Sequence, residues 1–389
     1  MKVGIVIPNT PRYSETFFRS KIKGLQEQGV HVRLYCQNKN DGFDLCPVII
    51  AAKVTSNPLL QGVYFIKEFL LLVPFFKMLL HYSKLERKEG TGFLRLVKKI
   101  YLNAHLLKAK LDWLHFGFAT QALGSETVAE AIGAKMAVSF RGFDVNVYPI
   151  KYPNVYGDVW KQIDKVHSIS IFLLEKAYVL GLPKETPFKI INPAVALRHI
   201  PNKKVSKNNN PIKIITVARL HYIKGIDGLL ETAALLREKE VNFTWEVIGE
   251  GTKQDTERYL YHRYQLGLEN RVHFTGKQPH QEAVKAIAHS DVYVQTSLTE
   301  GFCNAVLEAQ ACGTIPIAFA TGGLLENIKN GQTGFLVEAI SADALSTKII
   351  EVLSLKKEEK KKISRQAVER VKQEFTIENQ QQEFIDFYS

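Results

Sequence analysis

The chain has 389 residues, 46% hydrophobic and 23% charged, with a formal net charge of +12. That length exceeds one ordinary domain and suits two α/β domains, and the apolar content excludes a disordered chain. Four cysteines without a C-x-x-C pair, and eleven histidines without an H-x-x-x-H cluster, argue against a disulfide framework or a zinc site; they point to reduced, packed thiols in a cytosolic protein.

The opening KVGIVIP is a β-branched apolar run that reads as a first buried strand. Pro8 and Asn9 break it too soon for a signal peptide. A helix is predicted over Ser14–Gln28, closed by Gly29, and HVRLYCQ is the next strand, which together open a βαβ unit and a parallel sheet. DWLHFGF and KMAVSFRG read as strands flanking a helix near Ser125–Ile132, and KVHSISIF and FKIINPAV continue the pattern.

Residues 58–110 interrupt it, with ten Lys/Arg and three Asp/Glu in an otherwise apolar stretch. Lys67, Glu68, Pro74 and Lys77 argue against a transmembrane span. Two readings stand side by side: a pair of amphipathic helices covering the sheet, or a basic, aromatic face lying on an anionic bilayer. Residues 1–200 carry 27 Lys+Arg against 15 Asp+Glu, whereas residues 201–389 carry 24 of each. The whole surplus belongs to the first half, which therefore suits an anionic partner.

Residues 201–211, PNKKVSKNNNP, form a polar linker. A second β/α series follows: strands IKIITVARL, FTWEVIGEG, VHFTG, DVYVQTS and TIPIAFA, with helices over GIDGLLETAALLREKE, near Asp255–Gln265, near Gln281–His289 and from Asn304. LKKEEKKKISR reads as a solvated helix face and FTIENQQQEFIDFYS as a terminal helix. The expected architecture is α/β, two doubly wound parallel-sheet domains, residues 1–200 and 212–370, with a cleft between them and a C-terminal helix, 371–389, that can pack back on the first domain.

In open parallel sheets ligands bind beyond the C-terminal ends of the strands. Glu300 follows the strand DVYVQTS, Gly301 leads into a helix whose free N–H groups attract anions, and Glu308 lies on that helix. Arg219 and Lys224 follow the first strand of this half, and Gly249, Gly251, Gly322 and Gly323 mark turns after later strands. Carboxylates accept hydrogen bonds from sugar hydroxyls, and cations with a helix N-terminus suit phosphates. Two surface glutamates near a helix start would alone mean little; recurrence at one sheet edge is the stronger signal.

VARLHYIKGIDGLLETAALL, WEVIGEG, VHFTGK and TEGFCNAVLEAQACGTIPIAFATGGLLENI resemble the donor domain of glycosyltransferase family 4 enzymes of GT-B fold, across residues 211–340. The first half resembles the family more loosely, with the flavour of exopolysaccharide, capsule, lipopolysaccharide and colanic-acid-type transferases. The resemblance implies that Arg219 and Lys224 hold a donor diphosphate, that Glu308 binds ribose hydroxyls and that Glu300 binds the transferred sugar. It further implies that backbone N–H groups of Gly301, Phe302, Cys303 and Asn304 lie nearby, with Gly276 and Lys277 near the base. It implies a UDP- or GDP-sugar donor, retention at the anomeric carbon, and no metal or cofactor; the sequence has no D-x-D pair.

In SFRGFD, Arg141 stands where many family members carry a histidine, so a catalytic histidine is in doubt there. Arg141 stabilising the sugar or the leaving phosphate with Asp144 orienting it, and an Arg141–Asp144 structural bridge, both fit. His115, at a strand end in LHFGF, is a second catalytic candidate beside its reading as a packed histidine. Ser14 and Glu15 are candidates for acceptor or phosphate contact, with a helix cap by Ser14 as the plain reading. The expected reaction moves a sugar from a nucleotide diphosphate to a glycan acceptor, lipid-linked at the cytoplasmic face of a membrane in the fuller reading, with no nucleic-acid partner. A nucleotide-sugar epimerase or phosphorylase, or a non-catalytic nucleotide-sugar binder, are the alternatives.

Overall fold

The computed structural model describes residues 1–11, 16–40, 42–201 and 211–389. It divides into two compact units, Met1–Ile191 with Gln380–Ser389, and Asn192–Asn379.

The first unit holds strands β1 (Lys2–Val6), β2 (His31–Cys36), β3 (Val48–Ile50), β4 (Trp113–Phe116), β5 (Lys135–Phe140), β6 (Lys165–Ser168) and β7 (Phe188–Ile190). They form one sheet in the order β3-β2-β1-β4-β5-β6-β7, every pair parallel. Central strands such as β4 are buried at every position, as a parallel sheet covered by helices on both faces requires. Gly29, at φ 75°, ends the helix Thr16–Glu27 and turns the chain into β2. The core gathers Val3, Ile5, Ile22 and Leu34 with Phe384, Phe387 and Tyr388 of the terminal helix Ile377–Tyr388. Trp113 donates its indole N–H to the Tyr388 carbonyl at 3.3 Å.

The second unit holds β8 (Ile212–Val217), β9 (Phe243–Ile248), β10 (Val272–Gly276), β11 (Val292–Gln295), β12 (Ile315–Phe319) and β13 (Phe335–Val337), all parallel, in the order β10-β9-β8-β11-β12-β13. The order reverses between β8 and β11, which is the switch point where a doubly wound sheet opens a crevice at its C-terminal edge.

Several elements depart from the sequence reading. KVHSISIF is not strand throughout: β6 ends at Ser168, and Ser170 caps the helix Ile171–Val179 by accepting from the Leu173 N–H at 3.3 Å. The helix expected over Ser125–Ile132 is one turn, Val128–Ala131. β3 and β13, three residues each, are too short to show a period. Residues 58–110 fold as three helices, Pro58–Leu72, Phe76–Lys88 and Phe93–Leu107, rather than two. The first break is a 3-10 turn, Val73–Phe75, at Pro74, whose ring removes a helix N–H. The unit boundary precedes the polar segment 201–211 because residues beyond Ile191 already pack with the second unit: the Val195 N–H bonds the Phe375 carbonyl at 2.9 Å.

Candidate functional site

Lys224 and Glu300 meet at the switch point of the second unit. Lys224 lies in the connection after β8 and Glu300 in the connection after β11. Their side chains form an ion pair, Nζ to Oε1, at 2.5 Å, and Glu300 is 7% exposed. Ser297 Oγ donates to the same Oε1 at 2.7 Å and Gln295 Nε2 reaches it at 3.5 Å. Gln295 is itself held: its Nε2 donates to Ser297 Oγ at 2.7 Å, and it accepts from the Tyr293 hydroxyl at 2.5 Å. All donors thus fall on Oε1; Oε2 of Glu300 accepts no hydrogen bond among the described residues.

Close backbone contacts fix this geometry. Gly225, at φ 65°, passes so near the Thr296 carbonyl that a Cβ would lie 2.0 Å from its oxygen. Gly249, at φ 152°, leaves 1.8 Å between such a Cβ and the Ala218 carbonyl oxygen. A side chain at Gly225 would push apart the connections that carry Lys224 and Glu300, and one at Gly249 would push the connection after β9 away from the one after β8. The Gly323 N–H bonds the Glu300 carbonyl at 2.9 Å, tying in the turn after β12. Asn327 Nδ2 donates to the carbonyls of Phe302 and Cys303 at 2.5 and 2.9 Å, and its Oδ1 accepts from Gln310 at 2.7 Å.

The turn opens into the helix Asn304–Ala311, with Cys303 at φ 73°, an unusual conformation for a residue with a Cβ. Burial pushes the Cys303 thiol up to about 12, and the Glu300 carboxylate adds to this, so it is a packed thiol rather than a nucleophile. Glu308, on the same helix, accepts from His280 Nε2 at 2.7 Å through Oε1. That hydrogen bond holds the His280 imidazole above its ordinary pKa, burial opposing it. Burial, with the charges of Cys303, Glu300 and Glu308 adding to it, drives the Tyr293 phenol well above its usual value. Arg219 is exposed after β8 and makes no ion pair among the described residues. Gly251 follows β9, where the Leu220 N–H bonds the Glu250 carbonyl at 3.0 Å. Gly276, the last residue of β10, and Lys277 just beyond it are exposed, and Lys277 pairs with Glu250 at 3.1 Å.

The first-unit candidates behave differently. His115 is wholly buried and does not reach the strand-end surface expected of a catalytic base. Its Nδ1 meets Lys21 Nζ at 3.2 Å and the Tyr388 hydroxyl at 2.5 Å, and its Nε2 meets Ser139 Oγ at 2.7 Å. Ser139 continues to His167 Nδ1 at 2.7 Å. Burial, reinforced by Lys21, holds both imidazoles well below their ordinary pKa. Asp144 is buried and accepts from the backbone N–H groups of Ala119, Arg141 and Gly142 at 2.8–3.3 Å. It therefore shapes the turn after β5 instead of gripping the Arg141 guanidinium. Burial raises its pKa and those N–H groups oppose the rise. The Arg141 guanidinium carbon sits 3.8 Å over the Phe17 ring and 4.8 Å over Phe18. Ser14 and Glu15 lie outside the described residues.

Sequence reasoning missed Gln295, Ser297, His280 and Asn327. The first two sit within the quoted strand DVYVQTS, where polar residues at a strand's C-terminal end were the available signal. The other two act across helices and left no local pattern. Among the described residues no group of three His, Cys, Asp or Glu converges as a metal site.

Residues 199–370 match the model of the family described as Glycosyl transferases group 1. The Escherichia coli (strain K12) protein WcaL, named for colanic acid biosynthesis, is 27% identical over 269 residues, 67% of this chain and 66% of that protein. The amylovoran biosynthesis glycosyltransferase AmsK of Erwinia amylovora is 25% identical over 247 residues, 61% of this chain and 60% of its own. The chain thus spans slightly under two thirds of the lengths of these relatives. Among solved structures, a glycosyltransferase from Rickettsia africae ESF-5 matches with a TM-score of 0.69 at 19% identity, covering 100% of this chain and 97% of that one. Anabaena HepE in complex with UDP and glucose matches with a TM-score of 0.72 at 15% identity, covering 99% and 98%. At these identities the likeness is one of fold, and the two doubly wound sheets are those of GT-B proteins.

Proposed function

From the match of residues 199–370 to the glycosyl transferases group 1 model and from the site described above, we propose that the chain is a retaining, metal-independent glycosyltransferase. It moves a sugar from a nucleoside diphosphate sugar to a growing glycan in cell-surface polysaccharide biosynthesis. The observation that carries this reading is the Glu300 carboxylate, locked through Oε1 by Lys224 and Ser297 while Oε2 takes no bond among the described residues. A buried carboxylate held in this way is aimed at an incoming hydroxyl.

Each residue then has a task. Glu300 accepts hydrogen bonds from the transferred sugar. Lys224 keeps ammonium protons beyond the one engaged by Glu300, and with Arg219 it neutralises the diphosphate. The N-terminus of the helix Asn304–Ala311 adds backbone N–H groups as the leaving group gains charge. Glu308, held through one oxygen by His280, takes ribose hydroxyls with the other. The glutamates are not an acid and nucleophile pair, because fixed cations and N–H groups stabilise departure of the diphosphate directly. The Anabaena structure names UDP and glucose as that protein's ligands, which supports a uridine nucleotide among the donors to test first.

The test is a thermal-shift panel of UDP- and GDP-sugars, followed by product anomer assignment by NMR with and without chelator. A donor sugar that raises Tm and is transferred with retention, unaffected by chelator, is the expected result. Absence of any shift across the panel would overturn the donor assignment, and transfer with inversion would overturn the retaining mechanism.

A further inference from the structure

The first unit presents an apolar surface that its own core does not use. Helix Pro58–Leu72, PLLQGVYFIKEFLLL, is apolar on most of its circumference, yet Leu72 is its only buried residue. One face packs inward: Phe65 stacks on Phe69 and on Tyr101 with centroids 4.5 and 5.3 Å apart, and Glu68 pairs with Lys108 at 3.1 Å. The opposite stripe, Leu59, Val63, Ile66, Leu70 and Val73, recurs at alternating spacings of four and three and so lies along one side of the helix. These five side chains are 60–84% exposed, and Phe76 and Leu80 extend the patch at 56% and 59%. Scattered exposed hydrophobes need no account, but a contiguous stripe of this length marks an interaction surface.

Charge around the stripe selects the partner. Lys67, Lys77, Lys84, Arg95 and Lys98 are exposed on the same three helices. Of the three carboxylates in residues 58–110, Glu68 is bonded to Lys108, Glu86 is buried against Lys99 at 2.8 Å, and Glu89 lies 3.9 Å from Lys161. The surface therefore combines apolar side chains with a basic surround. We propose that it is a docking surface for an anionic lipid bilayer, with the stripe at the boundary of headgroups and acyl chains and the lysines among the headgroups.

The helix lies on the membrane and does not cross it. Fifteen residues rise about 22 Å, short of the roughly 30 Å hydrocarbon layer, and no helix among the described residues is long and apolar enough to span. A second copy of the chain fits less well, because a two-fold contact through this stripe would set one basic surround against another. The inference deepens the transferase reading by locating the acceptor's compartment, and it rests on that reading only for its purpose.

The experiment is co-sedimentation of the full chain with phosphatidylcholine vesicles, with or without about a third phosphatidylglycerol. At low salt the anionic vesicles should bind at least about tenfold more strongly, and ~0.5 M salt should remove most of the difference. Ile66→Asp with Leu70→Asp should weaken binding by about 100-fold, since each buried anchor is worth about tenfold or more. Lys67→Gln with Lys77→Gln should weaken it by about fivefold per charge. Because all four side chains are exposed, Tm should not change. Lack of binding to anionic vesicles overturns the proposal, as does binding that the Ile66 and Leu70 changes leave intact. A concentration-dependent dimer dissolved by those same changes also overturns it, in favour of a second copy. Nucleotide-induced Tm shifts on the same samples report on the second unit. Vesicle binding without any nucleotide shift would therefore sink the donor reading and leave the membrane surface standing.

Discussion

Replacing Lys224 with Met strips the Glu300 carboxylate of its cation while Ser297 and Gln295 still donate to it. At an effective dielectric of about 20, unit charges ~4 Å apart attract by about 4 kcal/mol, and breaking a buried pair typically costs 3–5 kcal/mol because the remaining charge stays desolvated. The Lys224 side chain is 18% exposed and Glu300's 8%, so some water screens the pair and the loss of folding stability should be at the lower end, about 3 kcal/mol. On the chemical step the loss should be that of one charge-stabilising donor, about 2.7–4 kcal/mol or ~100- to 1000-fold in kcat/KM. Urea denaturation measures the first and nucleoside diphosphate release from the donor measures the second. The double variant Lys224→Met/Glu300→Gln separates them: with both charges gone, stability should return to within about 1 kcal/mol of the parent, while turnover stays low. If the double variant is as unstable as the single one, the buried-pair account is wrong. If the single variant turns over near normally, Lys224 does not stabilise the leaving diphosphate.

Gly225→Ala should cost at least about 1–3 kcal/mol and lower donor affinity, because both its φ of 65° and the Thr296 carbonyl exclude a Cβ; unchanged Tm and affinity would contradict the close-contact reading. His280, whose pKa Glu308 raises, should add stability fully present below the ordinary histidine value and lost as pH rises through its own. Tm profiles from about pH 5 to 9 should therefore differ between the parent and His280→Gln chiefly at the acidic end. His115 and His167 have the opposite sign, since their lowered pKa values mean that the unfolded chain takes up protons that the folded core refuses. Stability should fall as pH drops below about 6.5, by up to about 1.4 kcal/mol per pH unit for each, and His167→Gln should flatten that slope in urea titrations.

Much of the fold was legible because its signals are local. Runs such as KVGIV, IKIITV and IPIAF are short, largely apolar and rich in β-branched residues, and such runs, bounded by turn residues, suit strands buried in a parallel sheet. Alternation of such runs with helical segments dictated parallel sheets, and the positions of Arg219, Lys224, Glu300 and Glu308 just after strands or on the following helix assigned them to one sheet edge before any coordinates. The surplus of positive charge was likewise fixed by composition.

What the sequence left open depends on partners distant along the chain. Asp144 three residues from Arg141 looked like a side-chain pair, but the turn directs its carboxylate to backbone N–H groups. His115 looked like a strand-end base, but the terminal helix returns from far along the chain to set Tyr388 against it and seal it in the core. Glu300 and Lys224 lie 76 positions apart, and only the crossover that places β8 beside β11 brings their charges into contact. The apolar helix Pro58–Leu72 carried two readings that periodicity could not separate, because it is apolar on the side that packs and on the side that does not. Local pattern fixes which residues prefer burial or a given backbone shape; which burial is realised, and which charge meets which, is a property of the tertiary arrangement, since both depend on groups that chain order alone does not bring together.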